Sequence, residues 1–301
     1  MQALILILTV SLFFGGIVIK TKSICAGRKG PGIFQPLKDI WRLMRKGAIF
    51  SDTATVLTRI APSIYCASVL LAVSCIPFGN VKGLLSFQGD FVFFAYALAL
   101  GKFFMIIAAL DTGSSFEGMG ASREAHFSML AEPAFFGVIG SLALFTGRTS
   151  FLDIFTYLHF GNYLSYALGS IMLIILAMLT LIENSRMPVD DPNTHLELTM
   201  IHEVMVLDYS GFDLGLIQYT TNLKFAMYAA LMANLFTGTL QVLPDILIFL
   251  GTGFLLAVVV GGVESFTARF RMGRNPQFIF ALTSYALLLF LLVLFITGRF
   301  S

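Results

Sequence analysis

Charge is what this sequence is short of. Of its 301 residues only 12% are Asp, Glu, Lys or Arg, while 57% are hydrophobic. Soluble domains carry about 25% charged and about 45–50% apolar residues, so the chain lacks the polar skin that would keep a body of this size in water. Its net charge of +2 gives no basic surface for nucleic acid and no charged disordered tail. Cysteine is scarce too: Cys25, Cys66 and Cys75 contain no C-x-x-C pair, and no His stands at zinc-like spacing from any of them. An iron–sulfur cluster needs about four thiolates, so this chain alone holds none. Nor is there a zincin motif, because His202-Glu203 has no second His four residues on.

What is present is a series of long apolar runs. A helix crosses the hydrocarbon core with about 20 apolar residues, and backbone groups in lipid must bond internally. Eight runs meet this pattern: Gln2–Ile19, Ile60–Phe78, Asp90–Leu110, Phe127–Thr146, Tyr166–Ile182, Leu223–Leu240, Ile246–Val263 and Phe278–Ile296. The expected fold is an all-α integral membrane protein, a single polytopic domain over residues 1–301 with about eight transmembrane helices. The first run has its positive charges, Lys20 and Lys22, behind it and no clear cleavage site, so it reads as a retained helix rather than a signal peptide.

Lys and Arg in the loops predict orientation. The odd-numbered loops hold fourteen of them, nine in loop one (residues 20–59) with Arg123, Arg186, Arg269, Arg271 and Arg274 in the later ones. The other side holds three: Lys82, Arg148 and Arg299. Odd loops are therefore expected in the cytoplasm, with both termini outside. Loop one contains an amphipathic segment, residues 36–47, with Leu37, Ile40, Trp41 and Met44 on one face. It suits a helix in the membrane interface anchored by Trp41, or one packed on a partner protein. In the long loop 183–222, Asp191 and Pro192 read as a helix N-cap and first residue. The predicted helix then puts Leu196, Met200, Val204 and Leu207 on an apolar stripe, with His195, Thr199 and His202 on another face.

Ionisable residues within spans usually face the bundle interior and mark ion paths. Lys102 and Glu132 lie furthest from a loop; Asp111, Glu117, Arg123, Glu124, Glu183 and Glu264 lie near the same end. If Phe127 starts the fourth span, Glu132 sits roughly 7–8 Å into it, with Lys102 as a candidate cation. Clustered carboxylates in a low dielectric would titrate nearer neutral pH.

The segment Arg28-Lys-Gly-Pro-Gly-Ile-Phe-Gln-Pro-Leu-Lys-Asp39 resembles the R-x-G-P-N…L-Q-P-x-x-D signature of the complex I subunit 1 family. That family supplies the membrane subunit at the quinone chamber, on which the hydrophilic arm docks. Glu183-Asn-Ser-Arg-Met-Pro-Val-Asp190 resembles its E-x-x-R-x-P-F-D loop, Asp208-Tyr-Ser-Gly211 its E-Y-S-G, and Arg269-Phe-Arg271 its basic R-x-R. A glutamate at the offset of Glu132 from Arg123 is also shared. Val189 and Asp191 depart from the usual residues around Asp190, and His195 stands where the quinone enzymes usually have an acid. The stretch from Asp190 to Glu203, with Asp111-Thr-Gly-Ser, Gly120-Ala-Ser-Arg-Glu124 and Glu264, is similar instead to the hydrogenase-4 and formate-hydrogenlyase branch of membrane-bound [NiFe]-hydrogenases.

The resemblance implies a non-catalytic coupling and docking subunit that links electron transfer to proton or sodium translocation in the cell membrane. Iron–sulfur clusters and a [NiFe] site would lie on hydrophilic partner subunits, with antiporter-like membrane subunits alongside. Implied proton-path residues are Lys102, Asp111, Glu124, Glu132, Glu183, Asp190, Glu197, Glu203, Asp208 and Glu264. Implied docking residues are Arg28, Gly30, Pro31, Gln35, Asp39, Arg123, Arg186, Pro188, His195, His202, Arg269, Arg271 and Arg274. A quinone reductase subunit is the alternative. A secondary transporter would show internal repeats, which are not evident, and a passive anchor has no need of Lys102 or Glu132 inside a span.

Overall fold

A computed structural model describes residues 2–159, 163–191, 200–237 and 242–298. Helices dominate them: α1 Gln2–Cys25, α2 Gln35–Met44, α3 Val56–Cys75, α4 Asp90–Asp111, α5 Ser115–Thr146, α6 Phe151–His159, α7 Tyr163–Glu183, α8 His202–Met205, α9 Gly211–Ala233, α10 Val242–Phe266 and α11 Asn275–Ile296. The one β feature among these residues is an isolated bridge between Phe78 and Val81.

Among the described residues, seven helices are long and apolar enough to cross a membrane: α1, α3, α4, α5, α7, α10 and α11. The eighth expected span, Leu223–Leu240, is displaced: the helix there is α9, which starts at Gly211, and residues 238–240 fall outside the described ones. α9 packs against α1, α2, α3, α7 and α10. Every residue from Leu223 to Ala233 is buried. A helix walled by other helices does not have to dissolve in lipid, so it can carry Thr220, Thr221, Asn222 and Lys224.

α5 begins twelve residues before the expected Phe127. Its early turns are held by α8, against which it packs. A Cβ on Gly120 would fall 2.5 Å from Val204 of α8, so the glycine permits that approach. Glu132 is therefore far from the start of its helix, contrary to the 7–8 Å reading. α2 packs against α9 and α1 with Ile40 buried, while Trp41 faces outward beneath the Arg45 guanidinium, 4.7 Å from the ring centroid. In the expected helix over 191–207, the described residues are helical only at His202–Met205, and Leu207 is exposed rather than on a buried stripe. His195 and Glu197 lie outside the described residues.

Pro62, inside α3, has no N–H for the carbonyl of Thr58. The Tyr209 hydroxyl, in the chain leading to α9, donates to that carbonyl at 3.0 Å. A break in one helix thus becomes the anchor of a loop 151 residues away. Burial pushes the Tyr209 phenol above its ordinary pKa, helped by the carboxylates of Glu117, Asp213 and Asp111, so it stays a donor.

Candidate functional site

The C-terminal ends of α1, α4, α7 and α10 and the N-terminal ends of α3, α5, α9 and α11 meet at one end of the bundle. The connection after α7 enters the protein there. Asn184, Ser185, Val189, Asp190 and Asp191 are all buried. Connections usually run over the surface because buried backbone must be satisfied, and here three ionic knots satisfy it.

The deepest knot is at Glu183, the last residue of α7. Lys102 of α4 places Nζ 2.6 Å from Glu183 Oε1 and donates to Ser128 Oγ at 3.0 Å. Lys224 of α9 donates to the Glu183 carbonyl at 2.8 Å, and its Nζ lies 3.1 Å from Oε2. Glu124 of α5 completes the group, with Oε1 4.0 Å from Lys102 Nζ. Lys102 lies nine residues before the end of α4 and Lys224 thirteen after the start of α9, about 14 and 20 Å along the two helices. Both ammonium groups are therefore far inside the bundle; Lys224 is 2% exposed and stands 5.9 Å over the Tyr65 ring. In such surroundings a charge persists only when paired and hydrogen-bonded.

The second knot is Glu264, whose side chain is buried at the end of α10. Oε2 takes Lys22 of α1 at 3.2 Å and Oε1 takes Arg186 at 3.2 Å. At the third, Asp190 Oδ1 receives Arg269 at 2.8 Å and the backbone N–H of Asp191 at 2.9 Å. Its Oδ2 receives the N–H groups of Ile201 and His202 at 3.2 and 3.1 Å. Burial pushes the Asp190 carboxyl up from its ordinary pKa, against the pull of those amides and the guanidinium. The Pro188 carbonyl accepts from Phe270 N, and Asn275 Nδ2 donates to the Val189 carbonyl.

Residues named from the sequence sort into three groups. Lys102, Glu124 and Glu183 come together, as do Arg186 with Glu264 and Asp190 with Arg269. Arg186 and Arg269 thus spend their charge inside the chain. Arg123 also turns inward, donating to the Met200 carbonyl at 2.8 Å. A second group stays apart. Asp111 accepts from the Thr55 amide and from the hydroxyls of Thr55 and Thr58, which fixes the start of α3. Asp208 faces outward and contributes its backbone N–H to buried Glu117 at 2.9 Å. Glu203 is half-buried on α8. Glu132 does not pair with Lys102. It is exposed on α5 and lines, with Lys102, Tyr96 and Met129, an apolar groove of about 670 Å³ between α4 and α5. The third group is at the surface: Arg28, Pro31, Arg271 and Arg274 are exposed. Gln35 donates to Asp39 at 2.8 Å, and Gly30 packs where a Cβ would meet Ser23 at 2.3 Å. His202 is half-buried and turns its ring nitrogen Nε2 inward.

Lys224 was missed from sequence. The polar run Thr220-Thr221-Asn222 reads as a loop, which puts Lys224 at a span's edge rather than inside it. Ser128, a small hydroxyl in an apolar run, gives no signal of its own.

Residues 1–297 match the family described as NADH dehydrogenase. The chain belongs to that family. It is 31% identical to hydrogenase-4 component C of Escherichia coli strain K12, over 78% of this chain and 73% of that protein. Formate hydrogenlyase subunit 4 of the same strain is 28% identical, with 97% of both chains aligned. An NADH-quinone oxidoreductase subunit of Rubrobacter xylanophilus is 28% identical over 71% of this chain and 65% of that protein. A chain of the membrane-bound sulfane sulfur reductase, an archaeal respiratory membrane complex, shares the fold with a TM-score of 0.81 at 19% identity, covering 96% of both chains. Family and apolar helices together make this a multi-pass membrane protein related to membrane subunits of hydrogenase and complex I-like oxidoreductases.

Proposed function

We propose that this chain is the coupling and docking subunit of a complex-I-related membrane-bound hydrogenase. In this reading it holds the hydrophilic redox subunits on its charged end and links their electron transfer to ion translocation. The observation that carries the proposal is Glu183 buried between Lys102 and Lys224, directly beneath a connection tied down by Glu264 and Asp190. A carboxylate and two ammonium groups sharing few partners form a site whose charge responds to any movement of that connection. A redox subunit seated on exposed Arg28, Arg271 and Arg274 would press on the same connection. The charged end faces the cytoplasm in this reading, which the distribution of Lys and Arg favours, and Glu132 in its groove is the more accessible carboxylate next to the buried pair. The two hydrogenase relatives favour hydrogenase over a quinone reductase, since one is aligned nearly from end to end. Iron–sulfur and [NiFe] groups belong to the partners.

The test is to tag the chain, isolate its complex and measure ion uptake into inside-out vesicles during turnover. A nickel-containing large subunit should co-purify, and Glu183→Gln should leave hydrogen evolution largely intact while uptake per H₂ falls. Isolation of the chain without redox subunits would reject the docking role. Unchanged uptake per H₂ in Glu183→Gln would reject coupling through this site.

A further inference from the structure

Beside the Glu183 knot lies a small, partly enclosed cavity with unsatisfied polar atoms on its wall. Asn184 is 4% exposed and its Oδ1 has no hydrogen-bond partner; Nε2 of His202 is buried and also has none among the described residues. Both residues line the cavity with Lys102, Glu124, Glu183 and Lys224. Its volume is about 10 Å³, close to the space one water occupies. Buried polar atoms are nearly always satisfied by protein or by ordered water, and a polar site of this size with several partners is where water resides. The wall also says what the site rejects. Its two ammonium groups are balanced by the carboxylates of Glu124 and Glu183, and a space the size of one water has no room for a hydrated metal cation.

We propose that this cavity holds a single water through which His202 passes protons to the Lys102–Glu183–Lys224 knot, which makes the ion moved at this site H⁺ rather than Na⁺. The inference rests on the coupling role above and names its ion and its entry residue. His202, the first residue of α8, is half-buried and lines the cavity, and its backbone is pinned by Asp190. Imidazole is the side chain best suited to taking up and releasing a proton in the physiological range. In the transfer the Nε2–H bond breaks as an O–H bond forms on the water. The water gives its own proton to a Glu183 oxygen, leaving a neutral imidazole, a neutral carboxyl and the water restored. Asn184 Oδ1 accepts one water hydrogen throughout and orients it, which makes Asn184 a positioning residue.

The experiment uses the intact complex in inside-out vesicles, with H⁺ uptake, ²²Na⁺ uptake and electron transfer followed together, and a high-resolution map of the wild-type complex. Removing a proton-transfer group costs roughly a hundredfold in the step it serves, so His202→Ala and His202→Gln should cut H⁺ uptake by about that factor. Free imidazole should restore the alanine variant, whose cavity admits it, and leave the glutamine variant unchanged. A merely structural histidine would show no such rescue. The map should show one density within hydrogen-bond distance of His202 Nε2 and Asn184 Oδ1. Full H⁺ uptake in His202→Gln, an empty cavity, or Na⁺ uptake that depends on Glu183 would each overturn the proposal. Should wild-type vesicles move no ion at all, the coupling role fails and the transfer step with it, while the density alone decides whether the water is there.

Discussion

The two ends of the bundle solve the same problem with different chemistry. At each end a connection must be tied to the helices it joins. At the end opposite the three knots, buried Asp90 accepts from Ser150 Oγ at 3.0 Å and from the Phe151 amide at 2.8 Å, which fixes the start of α6. Asn234, also buried, donates to the Pro77 carbonyl at 2.8 Å and accepts from the Gly79 amide at 3.2 Å. Neutral donors and an amide make these two ties. At the charged end the corresponding ties are Glu183, Glu264 and Asp190, each held by one or two cations. Ion pairs so deep are poor stabilisers, since desolvation cancels most of their attraction. That the ties at Asp90 and Asn234 are made without them argues that the charged end keeps them for what they do, not for what they hold.

The comparison can be broken or sharpened by substitution. The largest effect is expected for Glu183→Ala, which strands two buried ammonium groups. Removing one partner of a buried pair costs about 3–5 kcal/mol, so thermal unfolding of the purified complex should shift further than for any other single change discussed here. Adding Lys102→Met should recover part of the loss. If the single variant melts like wild type, Glu183 is not the electrostatic keystone of that end. Tyr209→Phe comes next. It leaves the Thr58 carbonyl without its donor, at about 1–3 kcal/mol, and the same thermal assay reads it. Asp190→Asn keeps the shape and removes the charge facing Arg269. About 1.5–3 kcal/mol is expected for a charged hydrogen bond, discounted because Arg269 is partly exposed and water replaces some of it. Its signature is local: faster hydrogen exchange at the Ile201 and His202 amides, with the bundle otherwise intact. The smallest effect belongs to Asp90→Asn at the neutral end, where the side-chain oxygen still accepts from the Phe151 amide. A stability change under about 1 kcal/mol and unaltered ion uptake are expected. Uptake abolished by Asp90→Asn as fully as by Glu183→Gln would erase the distinction between the two ends.

Much of this was legible in the sequence, for identifiable reasons. Seven spans stand out because lipid tolerates few polar residues, and Lys102 and Glu183 stand out against that background. Asp190 and Arg269 are legible as members of short motifs. Pairing is not. Lys102 meets Glu183 and not Glu132 because α4 and α7 are brought together by packing, across 81 residues of chain, and no local pattern encodes that. α9 was misplaced by the very property that makes it central: shielded from lipid, it is free to be polar. The early turns of α5 escaped because they are too polar to register as a span and the nine-residue α6 because it is too short, and both take their place from neighbours.

The polarity of α9 also bears on how the protein is made. Spans enter the bilayer from the translocation channel when their own apolarity is sufficient, and a lysine near the middle of a helix opposes that step by about 2.5–3.5 kcal/mol. α9 carries Lys224 thirteen residues from its start, and the carboxylate that neutralises it belongs to α7. α7 is synthesised first, so Glu183 is already in place when Lys224 emerges, and α9 can enter against a waiting partner. α10, which packs on its other side, follows it. For α9 the order of the chain is thus an order of assembly, since it is made after the helix that renders it acceptable to the membrane.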